Sequence, residues 1–365
     1  MVTFNLVGCG RIAQRHSQLL AEGQVPRASL GAVCDSQPDR AKSVGERFGV
    51  PWYASMHDMM SAQPCDVVSV LSESGLHAQH CLDLVGYGSH ILVEKPMALT
   101  LKDADRMIAA CDQANLRLFV VKQNRFNRPV VALRRALESG RLGKLTMGTV
   151  RVRWCRTQQY YDQDPWRGTW ALDGGVLANQ ASHHIDLLEW MMGDVDTVYA
   201  TTRRSLVDIE AEDTAVGVLQ FSSGAVGIIE ATTATRPTDL EGSLSLLGDR
   251  GTVEIAGFAV NEMRTWNFVE PDQADAELAE MSENPPDVYG FGHRAYLRHV
   301  VESLETGAAQ LVDGLEGRRS LELIQALYES AASGQPVDLR LKQRASLLGR
   351  TSGTPGGDAH AGASA

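Results

Sequence analysis

The stretch LVGCGRIAQRH, residues 6–16, decides how the first third of the chain is built. An apolar run ends in Gly8-x-Gly10-x-x-Ala13 and continues into a helical pattern. Gly8 permits a tight turn, Gly10 lets the backbone approach a pyrophosphate, and Ala13 is small enough for helix–strand packing. The alternative is an ordinary glycine turn. The context favours a dinucleotide site in which phosphates face the N–H groups and positive dipole end of a helix.

The sequence around this motif alternates short β-rich runs with amphipathic helical stretches from residue 1 to 124. That alternation is typical of a parallel sheet covered by helices. We therefore predict an α/β protein whose N-terminal Rossmann domain spans residues 1–124. Its six strands are expected in TFNLVG, ASLGAVCD, PWYA, DVVSVLS, HILVE and RLFVVKQ.

The second predicted strand ends at Asp35, about 20 residues beyond the glycine motif. An acidic side chain at this place accepts hydrogen bonds from the adenosine ribose hydroxyls and repels a 2′-phosphate. No arginine follows directly in DSQPD. NAD is therefore expected as the cofactor, rather than NADP.

After residue 124 the pattern changes to long strands joined by tight turns. DTAVGVLQF and AVGIIEATTA flank Ser-Ser-Gly, and SLSLLG and GTVEIAG flank Asp-Arg, so both pairs predict hairpins. We expect residues 125–345 to form a C-terminal α/β domain with a large, mostly antiparallel open sheet. Helical patterns around 180–193, 287–306 and 315–334 should interrupt or flank that sheet. Residues 346–365 are small, polar and Gly-rich, which predicts a disordered tail.

The composition excludes several classes of function. A net charge of −11 and a pI near 5.4 argue against general nucleic-acid binding, which needs clustered Lys and Arg. No apolar run approaches the roughly 18 residues of a membrane helix, and a cytoplasmic protein is expected. The six cysteines show no metal-binding spacing, so we expect no metal site.

A second informative stretch is ILVEKPMALT, residues 91–100, in which an apolar strand ends in Glu94, Lys95 and Pro96. A charged turn at a strand end is one explanation. However, ligands of open α/β sheets bind beyond the carboxyl ends of the strands, where Lys95 stands. A lysine there can hydrogen-bond a substrate hydroxyl and stabilise the alkoxide that develops as hydride leaves. Pro96 can hold the turn rigid, and a Lys-Pro bond can be cis.

GCGRIA, DVVSVLSESGLHAQH, VEKPMALT and GGVLANQASHHIDLLEWMMG together resemble the Gfo/Idh/MocA family of sugar oxidoreductases. The resemblance extends to about residue 345. It implies a Rossmann domain followed by an α/β domain whose open sheet commonly serves as an oligomer face, and a homotetramer is expected. It also implies that Lys95 is catalytic and that His77 lies near the nicotinamide.

Asn179, His183 and Asp186 fall at i, i+4 and i+7, which predicts that they share one face of a helix. A lone helical histidine is often structural, but His183 matches the catalytic histidine of the family and has a suitable pKa for a base. His184 points about 100° away. The family usually carries Asp where this chain has Asn179, and Asn can hydrogen-bond a sugar but cannot ionise. A metal site at the adjacent histidines is disfavoured because their side chains diverge.

Other stretches, among them VVKQNRFNRPVVALRRAL and WCRTQQYYDQDPWRGTW, resemble one branch of the family. This branch comprises UDP-N-acetyl-2-amino-2-deoxyglucuronate 3-dehydrogenases of bacterial surface-polysaccharide synthesis, including lipopolysaccharide. The resemblance implies NAD-dependent oxidation of the uronate C3 hydroxyl to a ketone, with 2-oxoglutarate as a possible reoxidant. A family dehydrogenase acting on another sugar, inositol or nucleotide sugar remains an alternative, as does a non-catalytic dinucleotide-dependent sensor.

A UDP-sugar uronate carries several negative charges that require local donors. Arg125, Arg167 and Arg236 are candidates, and Tyr160 and Tyr161 could stack on a ring, although each also suits a surface salt bridge or an aromatic core. The motifs and the resemblance together predict the following site. The cofactor residues are Gly8, Gly10, Arg11, Ile12, Asp35, Ser72, His77, Glu94, Lys95 and Gln123; the substrate residues are Lys95, Arg125, Tyr160, Arg167, Asn179 and His183, with Lys95 and His183 catalytic.

Overall fold

A computed structural model describes residues 1–273, 275–282 and 291–339. The N-terminal part is a parallel sheet with the strand order β3-β2-β1-β4-β5-β6, and all six expected strands are present. This order is that of a doubly wound dinucleotide-binding domain. The strands are β1 Val2–Val7, β2 Ala28–Cys34, β3 Trp52–Tyr53, β4 Val67–Val70, β5 His90–Val93 and β6 Leu118–Val120.

Five helices connect these strands, and their ends follow ordinary capping rules. The second helix begins at Pro38 and is followed by Gly49, whose φ of 69° provides the left-handed cap. In the fifth, the Thr100 hydroxyl accepts the Asp103 N–H at 3.1 Å. The helices are α1 Arg11–Ala21, α2 Pro38–Phe48, α3 Met56–Ala62, α4 His77–Leu84 and α5 Leu101–Gln113.

The rest of the described chain builds a second α/β unit after a short 3₁₀ turn at Gln123–Phe126. Its elements are α6 Arg128–Glu138, β7 Leu145–Arg153, α7 Gln158–Tyr161, α8 Ser182–Met192, β8 Val195–Arg203, β9 Thr214–Phe221, β10 Val226–Thr232, β11 Glu241–Gly248, β12 Gly251–Ala256, β13 Glu262–Phe268, α9 Asp275–Ala279, α10 Gly292–Thr306, α11 Gly314–Ser333 and β14 Val337–Asp338.

The second sheet has eight strands in the order β13-β12-β11-β7-β10-β9-β8-β14. Only the β7–β10 pair is parallel among its described pairings, so the sheet is mixed but mostly antiparallel. The two expected hairpins, β9–β10 and β11–β12, are confirmed. The sequence analysis did not identify β7, β8, β13 and β14 as strands.

The two faces of the second sheet differ. Helices α8 and α11 cover one face, and their apolar side chains join the main hydrophobic core. Strand β9 alternates between this core and the outside, and Val216 and Val218 remain 43% and 49% exposed. The neighbouring Tyr199 of β8 and Val226 of β10 are also exposed. One face of the sheet therefore presents apolar side chains to solvent.

Helix α10 packs in a different place from the one expected. The sequence pattern predicts that it flanks the second sheet, but Tyr296, Leu297 and Val300 lie in the core cluster that contains Phe4 and Leu6 of β1. The apolar side of the helix packs against the parallel sheet, so this C-terminal helix belongs to the core of the N-terminal domain.

Three expectations fall on residues that the structure does not describe, namely the end of the C-terminal domain at 345, the disordered tail at 346–365 and the start of the helix expected at 287–306. Within the described residues, none of the helices combines the length and hydrophobicity needed to span a bilayer.

Candidate active site

A cleft of about 500 Å³ lies between the carboxyl ends of the parallel strands and the segment 154–183 of the second unit. Ligands of doubly wound folds bind at this edge of the sheet. All the predicted site residues except Arg125 line the cleft: Gly8, Gly10, Arg11, Ile12, Asp35, Ser72, His77, Glu94, Lys95, Gln123, Tyr160, Arg167, Asn179 and His183.

The two glycines at the phosphate end of the cleft have different surroundings. Gly8 has a φ of 99°, and a Cβ there would lie 2.8 Å from the Leu71 carbonyl carbon and 2.9 Å from the Ser72 nitrogen. Gly10 caps the N-terminus of α1, and a Cβ there would meet no protein atom within 4 Å. Because the chain itself leaves that space open, it can admit a pyrophosphate against the helix N-terminus. The residues present thus fit a dinucleotide.

Asp35 lines the end of the cleft at which the sequence predicts the adenosine ribose. Its carboxylate accepts the Cys9 N–H and the Gln37 N–H, each at 2.8 Å, so the backbone fixes its position. Arg40, which follows the DSQPD stretch, also lines this end and forms an ion pair with Asp164 at 3.6 Å. The cation nearest to Asp35 along the chain is thus engaged with the opposite side of the cleft.

Lys95 extends from the end of β5 to the second unit, and the Lys95–Pro96 bond is cis. Its ammonium donates to the Asn179 carbonyl at 2.8 Å and to Asn179 Oδ1 at 3.3 Å. Burial lowers the pKa of Lys95, and the negative charges of Glu94 and Asp173 oppose that shift. An ammonium carries three N–H donors, so one remains for a substrate oxygen.

His183 lies near Lys95 on α8. The Gln123 side-chain amide donates to His183 Nε2 at 3.0 Å, which places the ring proton on Nδ1. Burial, reinforced by the positive charges of Lys95 and Lys122, holds the pKa of His183 well below its usual value. The ring is therefore a neutral base with a lone pair at Nε2.

Glu94 lies against two histidines behind the cleft. Its Oε1 is 3.3 Å from His16 Nε2 and 3.7 Å from His293 Nε2, and all three side chains are buried. Burial alone would raise the pKa of Glu94, but hydrogen bonds from the histidines hold it well below its usual range. Among the described residues, only these three have the spacing of a metal site. Their mutual hydrogen bonding explains the same spacing without an ion.

The helix-face prediction for Asn179, His183 and Asp186 is only partly right. Helix α8 begins at Ser182, so Asn179 lies in the preceding turn, where its N–H donates to the Gly175 carbonyl at 3.0 Å. That turn still brings Asn179 to Lys95. Asp186, by contrast, does not line the cleft.

Arg125, predicted to contact the substrate, does not line the cleft. Its guanidinium is 3% exposed and donates two bonds of 2.8 Å to Asp186 and one to Glu316 at 2.8 Å. The turn at Gln123–Phe126 directs this side chain behind the cleft, into a buried ion-pair network. Arg236 and Tyr161 also lie off the cleft: Arg236 donates to backbone carbonyls, and buried Tyr161 bonds Thr233.

His183 and its neighbour His184 meet different surroundings. His184 is fully buried, and its ring packs edge-on against Trp154 with 5.8 Å between centroids. Burial lowers the pKa of His184 to about 4. The predicted divergence of the two side chains is therefore seen, and only His183 lines the cleft.

The predicted residues Arg167 and Tyr160 belong to a larger group of aromatic and basic residues on the second wall of the cleft, most of which the sequence did not predict. The Arg167 guanidinium stacks over Tyr160 at 4.7 Å and over Trp166 at 4.5 Å. Arg156 lies 5.3 Å from the ring of Trp154. The interleaving of Arg with aromatic residues in WCR and DPWRGTW was the available signal. The missed lining residues include Arg40, Trp154, Arg156, Asp164, Trp166 and Gln180.

Comparison with known proteins identifies the family. Residues 2–122 match the oxidoreductase family with an NAD-binding Rossmann fold, and residues 134–339 match the C-terminal alpha/beta domain of the same family. The chain belongs to the Gfo/Idh/MocA oxidoreductase family. The expected fold class and the expected cofactor, NAD, are confirmed, and the chain is an NAD-dependent oxidoreductase.

Solved structures of the Gfo/Idh/MocA family include similar chains. The WlbA dehydrogenase from Bordetella pertussis, in complex with NADH and UDP-GlcNAcA, is 40% identical, with a TM-score of 0.87 over 93% of this chain and 98% of that one. The WlbA dehydrogenase from Chromobacterium violaceum, with the same ligands, is 42% identical, with a TM-score of 0.87 over 94% and 97% of the two chains. A D-apiose dehydrogenase from Rhizobium rhizogenes is 27% identical over 92% of this chain and 96% of its own length.

Proposed function

We propose that this chain oxidises the C3 hydroxyl of UDP-N-acetylglucosaminuronate to the 3-keto sugar, with NAD as the hydride acceptor. The observation that carries the proposal is the likeness to two dehydrogenases solved with NADH and UDP-GlcNAcA, at 40% and 42% identity over nearly the whole chain. The cleft adds the chemistry, because Lys95 and His183 lie together at the end of β5 beside the dinucleotide-binding loop.

In the proposed reaction the sugar loses one proton and one hydride. A bound NAD would supply the acceptor for the hydride that leaves C3. The sugar hydroxyl replaces Gln123 at His183 Nε2, and that neutral nitrogen takes the proton. The free N–H of the Lys95 ammonium hydrogen-bonds the same oxygen and stabilises the negative charge that develops on it. Asn179 holds Lys95 in place through its two acceptors.

The second wall of the cleft suits a nucleotide-sugar acid. Arg156 and Arg167 can donate to carboxylate or diphosphate oxygens, for which planar guanidinium groups are well matched. Trp154, Tyr160 and Trp166 offer ring faces for a uracil or a sugar. This wall gives an acidic protein a local set of donors and stacking surfaces for a strongly anionic ligand.

We further propose a homotetramer that acts in the cytoplasm, in the synthesis of a surface polysaccharide such as lipopolysaccharide. The outer face of the second sheet supports the oligomer, because Tyr199, Val216, Val218 and Val226 are each more than 40% exposed there. Reoxidation of bound NADH by 2-oxoglutarate belongs to the same proposal. In that step 2-oxoglutarate would gain a hydride at its keto carbon and a proton at its keto oxygen, which gives 2-hydroxyglutarate and leaves the cofactor oxidised.

Single-turnover reduction of bound NAD tests the substrate. UDP-GlcNAcA should generate NADH rapidly, whereas UDP-GlcNAc, which lacks the carboxylate, and free N-acetylglucosaminuronate, which lacks UDP, should react poorly. Faster reduction by apiose or inositol would favour a dehydrogenase of free sugars. If no sugar on the panel reduces NAD, the chain is a non-catalytic sensor and the proposal is wrong.

A further inference from the structure

Asp173 is a buried carboxylate that the proposed reaction does not use directly. It is 2% exposed and does not line the cleft. Its Oδ2 accepts the Gly168 N–H at 2.9 Å, and its Oδ1 accepts the Asn179 side-chain amide at 2.6 Å. The latter bond joins it to the residue that holds Lys95.

The hydrogen bond to Asp173 determines which way the Asn179 amide faces. Because Nδ2 donates to Asp173, Oδ1 is left facing Lys95 Nζ at 3.3 Å. The reverse orientation would set an NH₂ group against an ammonium and an oxygen against a carboxylate, and both contacts are repulsive. An ionised Asp173 therefore permits only one orientation.

We propose that Asp173 is a positioning residue for hydride transfer. It locks the Asn179 amide in the orientation that receives Lys95 and places a negative charge behind that uncharged amide. The inference rests on the proposed function, in which Lys95 bonds the reacting oxygen. In this arrangement the neutral Asn179 amide contacts the Lys95 ammonium, and the charged Asp173 carboxylate lies behind that amide. The ammonium therefore stays free to bond the sugar.

The turn that carries Asn179 has a separate anchor. The Leu177 N–H donates to Glu212 Oε1 at 2.9 Å, and the Gly175 N–H donates to the Tyr328 hydroxyl at 3.1 Å. The same hydroxyl donates to Glu212 at 3.0 Å. These bonds hold the backbone of the turn without Asp173, so a substitution of its carboxylate should leave the turn folded.

The protonation of Asp173 provides a signature of its role. Burial raises the pKa of Asp173 to about 6, against hydrogen bonds from Gly168 and Asn179 and the charge of Lys95. The other titratable groups facing it are Arg167, Glu212 and Tyr161. Below pH 6 the carboxyl is protonated and no longer fixes the amide. The wild-type rate of hydride transfer should therefore decline as the pH falls through about 6.

The substitution Asp173→Asn tests this role in single-turnover reduction of bound NAD by UDP-GlcNAcA. The rate should fall by about 10- to 100-fold, as for other misplaced catalytic groups, with NAD affinity unchanged. The decline near pH 6 should disappear. The double variant Asp173→Asn with Asn179→Asp, which exchanges the two groups, should recover part of the rate. As a control, Glu212→Gln should keep the decline. Burial raises the pKa of Glu212 to about 7, but among the described residues its side chain bonds the Leu177 N–H and Tyr328, not Asn179.

A folded Asp173→Asn enzyme with a near-wild-type rate and an unchanged decline would overturn the proposal. If that variant does not fold, the pH dependence of the rate in the single variant Asn179→Asp tests the proposal instead. Two carboxylates in contact share a proton, so the decline should move to higher pH. A decline that stays in place would contradict the role of Asp173.

A titration of Lys95 separates this inference from the proposed function. The chain has six lysines, so carbon-13-labelled lysine gives few signals, and Lys95→Gln assigns the one of interest. Asp173→Asn should move the Lys95 titration to lower pH, because it removes a negative charge near the ammonium. An unmoved titration would contradict the inference. A wild-type enzyme that oxidises no UDP-sugar would contradict only the proposed function, since this titration needs no substrate.

Discussion

The two walls of the cleft are built in different ways. On the cofactor wall, Gly8, Asp35 and Lys95 each follow a strand of one parallel sheet, so a local motif places each of them at the same edge. On the sugar wall, the turn that carries Asn179 is held by the bond from the Gly175 N–H to the distant Tyr328 hydroxyl. The turn beside Arg167 is held by the bond from the Ala211 N–H to the Gly168 carbonyl. Residue type and spacing therefore identify the functional side chains of the cofactor wall. On the sugar wall, tertiary packing decides which side chains face the cleft.

His183 is the first test of the sugar wall and has the largest expected effect. His183→Ala should lower the single-turnover rate by about 10²- to 10⁴-fold, the range for a lost general base. Without the base the hydroxyl proton must pass to water, so the residual rate should rise with pH. Stopped-flow absorbance of NADH measures both. A pH-independent rate close to wild type would remove His183 from the proposed reaction.

Arg167 and Arg125 form a matched pair, because the sequence proposed both for the substrate and the structure separates them. Arg167→Gln should raise KM for UDP-GlcNAcA by roughly 10- to 100-fold, the value of one charge-assisted hydrogen bond. Steady-state kinetics measures KM for both enzymes. Equal KM values for wild type and Arg167→Gln would show that the carboxylate and diphosphate of the substrate do not bind Arg167.

Arg125→Gln should instead lower stability, because it leaves Asp186 buried with fewer partners. Removing one member of a buried pair costs about 3–5 kcal/mol. Thermal melting should show a lower Tm, with KM unchanged for the folded enzyme. A raised KM without a change in Tm would return Arg125 to the substrate site.

Much of the first wall, and less of the second, follows from sequence. The positions of Gly8 and Lys95 are predictable because Gly8 lies in the tight turn after β1 and Lys95 follows the end of β5, and both places lie at the ligand-binding edge of the sheet. Asn179 was placed on a helix that starts three residues later, because the spacing cannot show that Ser182 is the first helical residue. Arg125 was assigned to the ligand because the sequence cannot show that Asp186 and Glu316 meet it in space. Asp173 carried no local signal at all.

Asp35→Asn tests the cofactor wall and should have a moderate effect. The amide offers one acceptor where the carboxylate serves two backbone N–H groups and is predicted to bind the ribose, so NAD should bind about 10-fold more weakly. The preference over NADP should shrink because the repulsive charge is lost. Fluorescence titration of cofactor-free protein measures both. Unchanged discrimination would mean that another group excludes the 2′-phosphate.

His184→Ala should have the smallest effect on the rate. The ring packs against Trp154 and does not line the cleft, so the substitution should lower Tm while the rate stays within about threefold of wild type. Because His183 and His184 lie on different faces of α8, a difference in rate between the two variants shows that only one face of the helix takes part in the reaction. A loss as large as that of His183→Ala would show that the two faces do not differ in function.

Lys95 joins the two walls, and it offers the most direct test of the central claim that this cleft carries out hydride transfer from a sugar alcohol. The measurement is single-turnover reduction of bound NAD by UDP-GlcNAcA in Lys95→Ala, beside a titration of NAD binding. The rate should fall by about 10²- to 10⁴-fold, while NAD affinity barely changes because Gly8, Gly10 and Asp35 are untouched. A folded Lys95→Ala enzyme that reduces NAD within about threefold of the wild-type rate would show that the Glu-Lys-Pro stretch is only a charged turn at the end of β5.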